Sequence, residues 1–167
     1  MQNKTLNTLI ILICCLIPIA LPINGGVILN SISEYAGSDD PQLYTTLLIT
    51  YAVFLIIYGA LTYKPYKYGL LSFLLFLVIA LPVQKYRIAH DTAALLFFFW
   101  YAYITIRQFK SKFVRILITT IAIIMLILAK TGVVTLFFAE TIGLYYLSWF
   151  YTLKIINNNR FLIKFKD

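Results

Sequence analysis

Residues 43–63 read LYTTLLITYAVFLIIYGALTY, a stretch without one charged side chain. Coiled as a helix at 1.5 Å of rise per residue, such a run is about 30 Å long, the thickness of a bilayer's hydrocarbon core. An open strand edge finds no water there to satisfy it, and the run is too apolar for the alternating pattern of a membrane barrel. A helix is therefore the element expected.

Five further runs of the same kind flank this one. One precedes it, from about Leu6 to Ile23. Four follow: Tyr68 to Val83, Ile88 to Ile106, Phe113 to Ala129 and Gly132 to Leu153. The third and fifth of the six are the shortest, and only Lys130, Thr131 and Gly132 separate the fifth from the sixth. The expected architecture is all-α: one transmembrane domain over residues 1–167, a six-span polytopic helical bundle with spans 6–23, 43–63, 68–83, 88–106, 113–129 and 132–153.

Composition agrees. Of the 167 residues 62% are hydrophobic and 12% charged, and the mean hydropathy is +0.88. A soluble domain carries about 25% charged residues, so a free cytosolic domain and a disordered chain are both excluded. The two cysteines, Cys14 and Cys15, are adjacent within an apolar run. Helical neighbours point about 100° apart, so they are expected to pack as small hydrophobes and not to pair.

The first run is preceded by a single basic residue, Lys4, and Ala20-Leu21-Pro22 is no small-x-small cleavage site. It is read as a retained helix, bent near Pro18 and Pro22. The net charge of +8 follows from orientation. With the N-terminus inside, the inner segments hold Lys4, Lys64, Lys67, Arg107, Lys110, Lys112, Arg115, Lys154, Arg160, Lys164 and Lys166; the outer ones hold only Lys85, Arg87 and Lys130. This asymmetry places both termini in the cytoplasm. It also accounts for the basic stretch Arg107–Arg115, so no nucleic-acid partner is expected. Tyr63, Tyr66, Tyr68, Trp100, Tyr101, Tyr103, Trp149 and Tyr151 are expected at the inner boundary, and Tyr35, Tyr44 and Tyr86 at the outer one.

The acids carry the functional signal. Glu34, Asp39, Asp40 and Asp91 fall at the outer side, Asp39 and Asp40 within a turn Ser38–Pro41. Glu140 lies inside the sixth span, about 12 Å below its start at Gly132. A carboxylate at such depth costs about 2.5–3.5 kcal/mol, so it should face the bundle, be paired or carry a proton. Gly143, one turn on, leaves room for a neighbouring helix. His90, the only histidine, shares a helix face with Ala94 and Phe97 and is placed to meet Glu140. Ser31–Tyr35 ends on the same side. Candidate pocket residues are therefore His90, Asp91, Glu140, Glu34 and Ser33. Glu140 either locks helix packing through His90 or Arg87, or is a functional carboxylate.

There is no Gly-rich phosphate loop, no G-x-S-x-G elbow and no Cys/His zinc spacing. Neither a metal nor another cofactor is expected. The leading expectation is a non-enzymatic membrane component that binds a lipid or small amphiphile. Two alternatives stand beside it. One is a lipid-modifying hydrolase or transferase, with Glu140 or His90 as general base and Ser33 or water as nucleophile. The other is a proton-linked carrier or small channel that uses Glu140. Membrane lipid is the expected partner, and a homo-oligomer is left open.

Three segments carry a resemblance: Asn30-Ser31-Ile32-Ser33-Glu34-Tyr35, the run His90-Asp91-Thr92-Ala93-Ala94-Leu95-Leu96-Phe97-Phe98, and Ala139-Glu140-Thr141-Ile142-Gly143-Leu144 followed by Ser148-Trp149. In order and spacing the chain resembles small bacterial six-span proteins of a domain-of-unknown-function family, distantly similar to DRAM-type membrane proteins. The resemblance implies a six-helix bundle in the bacterial inner membrane with polar residues converging near its outer face. It implies no established reaction. Membrane hydrolases of the alkaline ceramidase type hold zinc with several histidines, and a chain with one lacks those ligands.

Overall fold

A computed structural model describes residues 4–38, 41–109, 112–132 and 135–157. The turn at Asp39 and Asp40, Lys110, and the basic tail with Arg160, Lys164 and Lys166 lie outside the described residues. Six α-helices follow one another: α1 (Lys4–Gly25), α2 (Pro41–Leu61), α3 (Pro65–Ala80), α4 (Val83–Gln108), α5 (Lys112–Lys130) and α6 (Leu136–Asn157), with a 3-10 turn at Ile32–Gly37 between the first two. The chain is thus all-α. By length and composition α1 and α2 are long and apolar enough to cross a membrane, and α3 is apolar but shorter, at 16 residues.

Three helices depart from their expected bounds: α3 runs Pro65–Ala80 where 68–83 was expected, and α4 and α6 start elsewhere. Helix α4 begins at Val83 instead of Ile88, and its first turn is broken from the rest at Tyr86 (φ −129°, ψ 43°). The polar residues Gln84, Lys85 and Arg87 hid that first turn from a reading based on apolar runs. Helix α6 begins at Leu136 instead of Gly132, which takes φ +75°, a left-handed conformation that ends the preceding helix. Helix α1 runs unbroken through Pro18 and Pro22.

The connection between α2 and α3 shows how locally the hairpin is built. The Lys64 N–H donates to the Gly59 carbonyl at 2.9 Å and the Tyr63 N–H to the Ala60 carbonyl at 3.3 Å, the two crossed bonds of a Schellman ending. Tyr63 occupies the left-handed position (φ 55°) that glycine usually takes, and Pro65 opens α3, where its missing N–H costs nothing. A Cβ at Gly59 would lie 2.8 Å from the Tyr68 Cβ, so the glycine permits the close crossing. The Ser72 hydroxyl then ties the two helices by donating to the Ala52 carbonyl at 2.9 Å. Tyr63 is 93% exposed and has no packing to lose. Tyr63→Gly is therefore expected to raise stability by about 1 kcal/mol; an unchanged or lower unfolding midpoint in detergent would count against the strained-turn argument.

Helices α6, α1, α2, α3 and α4 pack in that order, each against the next, and α5 lies against α4 and α6. The 3-10 turn touches α1, α2, α4 and α6, so it plugs one end of the bundle. At the opposite end the Trp100 indole N–H donates to the Lys67 carbonyl at 2.9 Å, joining α4 to the start of α3.

The core corrects the expected aromatic belts. Tyr35, Tyr44, Tyr68, Tyr101 and Tyr151 are buried inside the bundle, together with Tyr51 and Tyr58. Tyr63, Tyr66, Tyr86, Tyr103 and Trp149 are exposed. Tyr44, Tyr51 and Tyr58 recur every seven residues and so form one stripe of α2. The Tyr58 ring meets those of Tyr68 and Tyr151 edge-on, with centroids 4.8 Å and 5.3 Å away. Phenol rings carry enough apolar area to serve as core, and their edges pack against faces. Both cysteines are free, and Cys15 Sγ lies 3.4 Å from the Ser148 hydroxyl across the α1–α6 contact.

Candidate functional site

The plug is folded by its own side chains. The Ser31 hydroxyl accepts the Glu34 N–H at 3.3 Å and so caps the 3-10 turn; it also lies 2.9 Å from the Ser33 hydroxyl. Glu34 reaches back, its Oε2 accepting the Asn30 N–H at 3.0 Å, so the two residues cap the segment reciprocally in the manner of a capping box. The Tyr35 hydroxyl donates to the Val27 carbonyl at 2.6 Å and accepts from the Leu29 N–H at 3.3 Å. Its ring is buried beside Phe137, with centroids 6.4 Å apart. The sequence Ser-x-Ser-Glu-Tyr is thus a folding unit in which the Ser31, Glu34 and Tyr35 side chains each close backbone groups and Ser33 meets Ser31.

Two bonds fasten this unit to α6. The Phe137 N–H, one of the donors that a helix start leaves open, donates to the Asn30 carbonyl at 2.6 Å. In return the Ile32 N–H donates to Glu140 Oε2 at 2.6 Å. The expected partners of Glu140 were His90 and Arg87, whereas the bond is made to backbone. Arg87 instead lies 4.0 Å from Asp91 one helical turn on, with both side chains mostly exposed. Because α6 begins at Leu136, Glu140 sits about 6 Å from the helix start, half the depth expected from Gly132.

His90 is 1% exposed, and its Nδ1 lies 2.7 Å from the Leu81 carbonyl, just past the end of α3. A carbonyl only accepts, so Nδ1 carries the proton, and in the neutral ring Nε2 is an acceptor. Ala94 and Phe97, which share its helix face, line the same space as His90.

That space is a cavity of about 50 Å³ beneath the plug. Its polar lining comes from His90, Glu140, Ser33, Tyr44 and Tyr51. A water molecule occupies about 30 Å³ in the liquid, so the cavity takes one or two waters or a group of that size. Of the five candidates read from sequence, Ser33, His90 and Glu140 meet here. Glu34 is committed to the plug's own backbone, and Asp91 faces Arg87 at the surface. Sequence reading missed Tyr44 and Tyr51. Each is 1% exposed; the Tyr44 hydroxyl has no hydrogen-bond partner among the described residues, and the Tyr51 hydroxyl lies beside the Cys14 thiol. Their seven-residue spacing on α2 was the available signal.

The wall between α4 and α6 is thin where it matters. The Phe98 ring lies over Gly143, and a Cβ there would come within 3.0 Å of Phe98 Cε1. Both residues are only half-buried, and Leu95, Phe99 and Ile142 beside them are exposed. Among the described residues no three His, Cys, Asp or Glu side chains converge to hold a metal ion. A larger hollow of about 360 Å³ is lined by Lys112, Arg115, Ile116, Thr119 and Thr120, all from α5. It is the flank of one helix, where no second element brings groups together.

A family model described as "Family of unknown function (DUF7103)" matches residues 16–155. No curated protein and no solved structure matches the chain.

Proposed function

Since the chain belongs to DUF7103, a family of unknown function, we propose from its own geometry that it is a six-span protein of the bacterial inner membrane, with both termini inside, that holds a small amphiphile by its polar head. The likeness of its three polar segments to DRAM-type proteins forms part of this reading.

Support for the membrane setting comes from the outside of the bundle. Every helix presents large apolar side chains outward, among them Leu12, Ile56, Phe73, Leu96, Ile121 and Phe138. Such a surface is unfavourable in water and matched in lipid. The distribution of Lys and Arg, eleven on one side and three on the other, supports the orientation. In it the plug and its cavity face outward.

The single observation that carries the functional reading is the polar cavity beneath the plug. It is walled by Glu140, His90 and two buried phenols, and lies one side chain, Phe98, away from an apolar exterior. A head group of water-like size fits inside, and an acyl tail leaves between α4 and α6 past Phe98. The hydrolase alternative gains less support. The Ser33 hydroxyl is engaged with Ser31, and no hydrogen bond joins it to His90 or Glu140 among the described residues. An activated nucleophile requires that contact.

The test is lipid analysis of protein purified in mild detergent. Wild type is expected to retain a defined amphiphile that Glu140→Gln and His90→Ala lose, at least several-fold, by native mass spectrometry. Equal lipid content in all three proteins removes the reading.

A further inference from the structure

We propose that the cavity beneath the plug receives a primary ammonium group, held by the Glu140 carboxylate, His90 Nε2 and the hydroxyl oxygens of Tyr44 and Tyr51. This deepens the amphiphile reading, on which it rests for the ligand's tail, and it names the head.

The argument begins with charge. The Glu140 carboxylate accepts one backbone N–H, from Ile32, and among the described residues no Lys, Arg or His stands within ion-pair distance of it. A sheltered carboxylate with one neutral donor is incompletely compensated. A cation in the adjacent cavity completes it, whereas an anionic head group would oppose it.

Hydrogen-bond complementarity narrows the cation. With Nδ1–H bonded to the Leu81 carbonyl, the neutral His90 ring offers an acceptor at Nε2. The carboxylate has acceptor capacity beyond the Ile32 bond; the buried Tyr44 hydroxyl has no partner among the described residues, and the Tyr51 hydroxyl, beside the Cys14 thiol, still has an oxygen that can accept. The lining is therefore rich in acceptors. A primary ammonium carries three N–H donors and no acceptor, the converse set.

Size narrows it again. The space of about 50 Å³ is small and suits an ammonium group, whereas a quaternary nitrogen is bulkier and has no N–H to donate. Phe97 and Phe98 complete the wall with aromatic rings, surfaces that favour a cation over an anion.

The source of such a head is either a lipid, as in an ethanolamine phospholipid, or a free small amine. The experiment uses the full chain in nanodiscs and in detergent free of amines. In detergent, methylammonium chloride is compared with tetramethylammonium and sodium chloride at equal ionic strength, by unfolding midpoint. In nanodiscs, phosphatidylethanolamine is compared with phosphatidylcholine. Methylammonium alone is expected to raise the midpoint of wild type. Glu140→Gln, which keeps an oxygen for the Ile32 N–H, should abolish the response. Tyr44→Phe with Tyr51→Phe, which keeps both rings, should weaken the apparent affinity about tenfold. A preference for phosphatidylethanolamine places the head on a lipid. A methylammonium response without that preference upholds the ammonium site but removes the amphiphile reading. A response equal for all three salts, or one that survives Glu140→Gln, overturns the ammonium site. The amphiphile reading then stands or falls by the co-purified lipid alone.

Discussion

Glu140→Ala is expected to destabilise the protein by about 2–3 kcal/mol and to loosen the plug before any helix. The substitution strands the Ile32 N–H, a donor on a residue 6% exposed, which loses its protein acceptor. An orphaned buried donor costs about 1–3 kcal/mol, and a bond to a charged acceptor lies at the upper end. The companion bond from the Phe137 N–H to the Asn30 carbonyl depends on the same docking, so the two are lost together. The expected signature is rapid amide exchange at Ile32 and Phe137 with helix amides still protected. Glu140→Gln retains an acceptor oxygen and should lose much less. Equal midpoints for Glu140→Ala and wild type, with Ile32 still protected, would show that the carboxylate does not hold the plug.

Gly59 offers a test of opposite signs with one substitution type. Alanine ordinarily gains about 1 kcal/mol over glycine inside a helix. At Gly69 nothing lies within 4 Å of the added Cβ, so Gly69→Ala should realise that gain. At Gly59 the added Cβ meets the Tyr68 Cβ at 2.8 Å, with the Pro65 Cα at 3.4 Å and the Lys64 carbonyl oxygen at 3.5 Å behind it. None of these is the end of a flexible side chain, so the hairpin itself has to open. Overpacking of this kind costs about 1–3 kcal/mol. Gly59→Ala is expected to lower the unfolding midpoint while Gly69→Ala raises it. Adding Tyr68→Ala should not rescue Gly59→Ala, because the clash is with the Cβ that alanine keeps. Rescue by that pair, or a gain at both glycines, would remove the close-crossing account.

The helices were legible in the chain because apolar runs announce their own length, and all six expected spans overlap their helices along most of their residues. Rotation about each axis was not legible. Runs such as Leu43–Tyr63 are hydrophobic all round, so they say little about which face turns inward, and tyrosines assigned to the membrane boundary prove to be core. Tyr68 and Tyr151 carry the lesson: a phenol suits an interface and an interior equally, and only packing decides. The first turn of α4 was hidden because Gln84, Lys85 and Arg87 read as loop, although polar residues at a helix end are ordinary. At the site, His90 and Glu140 stood out because ionisable groups are rare among so many apolar neighbours. Their actual partners, the Leu81 carbonyl and the Ile32 amide, are backbone groups, which every residue possesses and no sequence marks. Tyr44 and Tyr51 were overlooked for the converse reason, that thirteen tyrosines make none conspicuous.

The bond that closes the plug joins residues 108 positions apart. During synthesis, therefore, the loop after the first helix is finished long before its latch exists. A nascent chain arrested in α5 already has every helix of the arc except the last, and it lacks the Glu140 carboxylate that fastens the plug. The plug is thus fastened only after the sixth helix has been made.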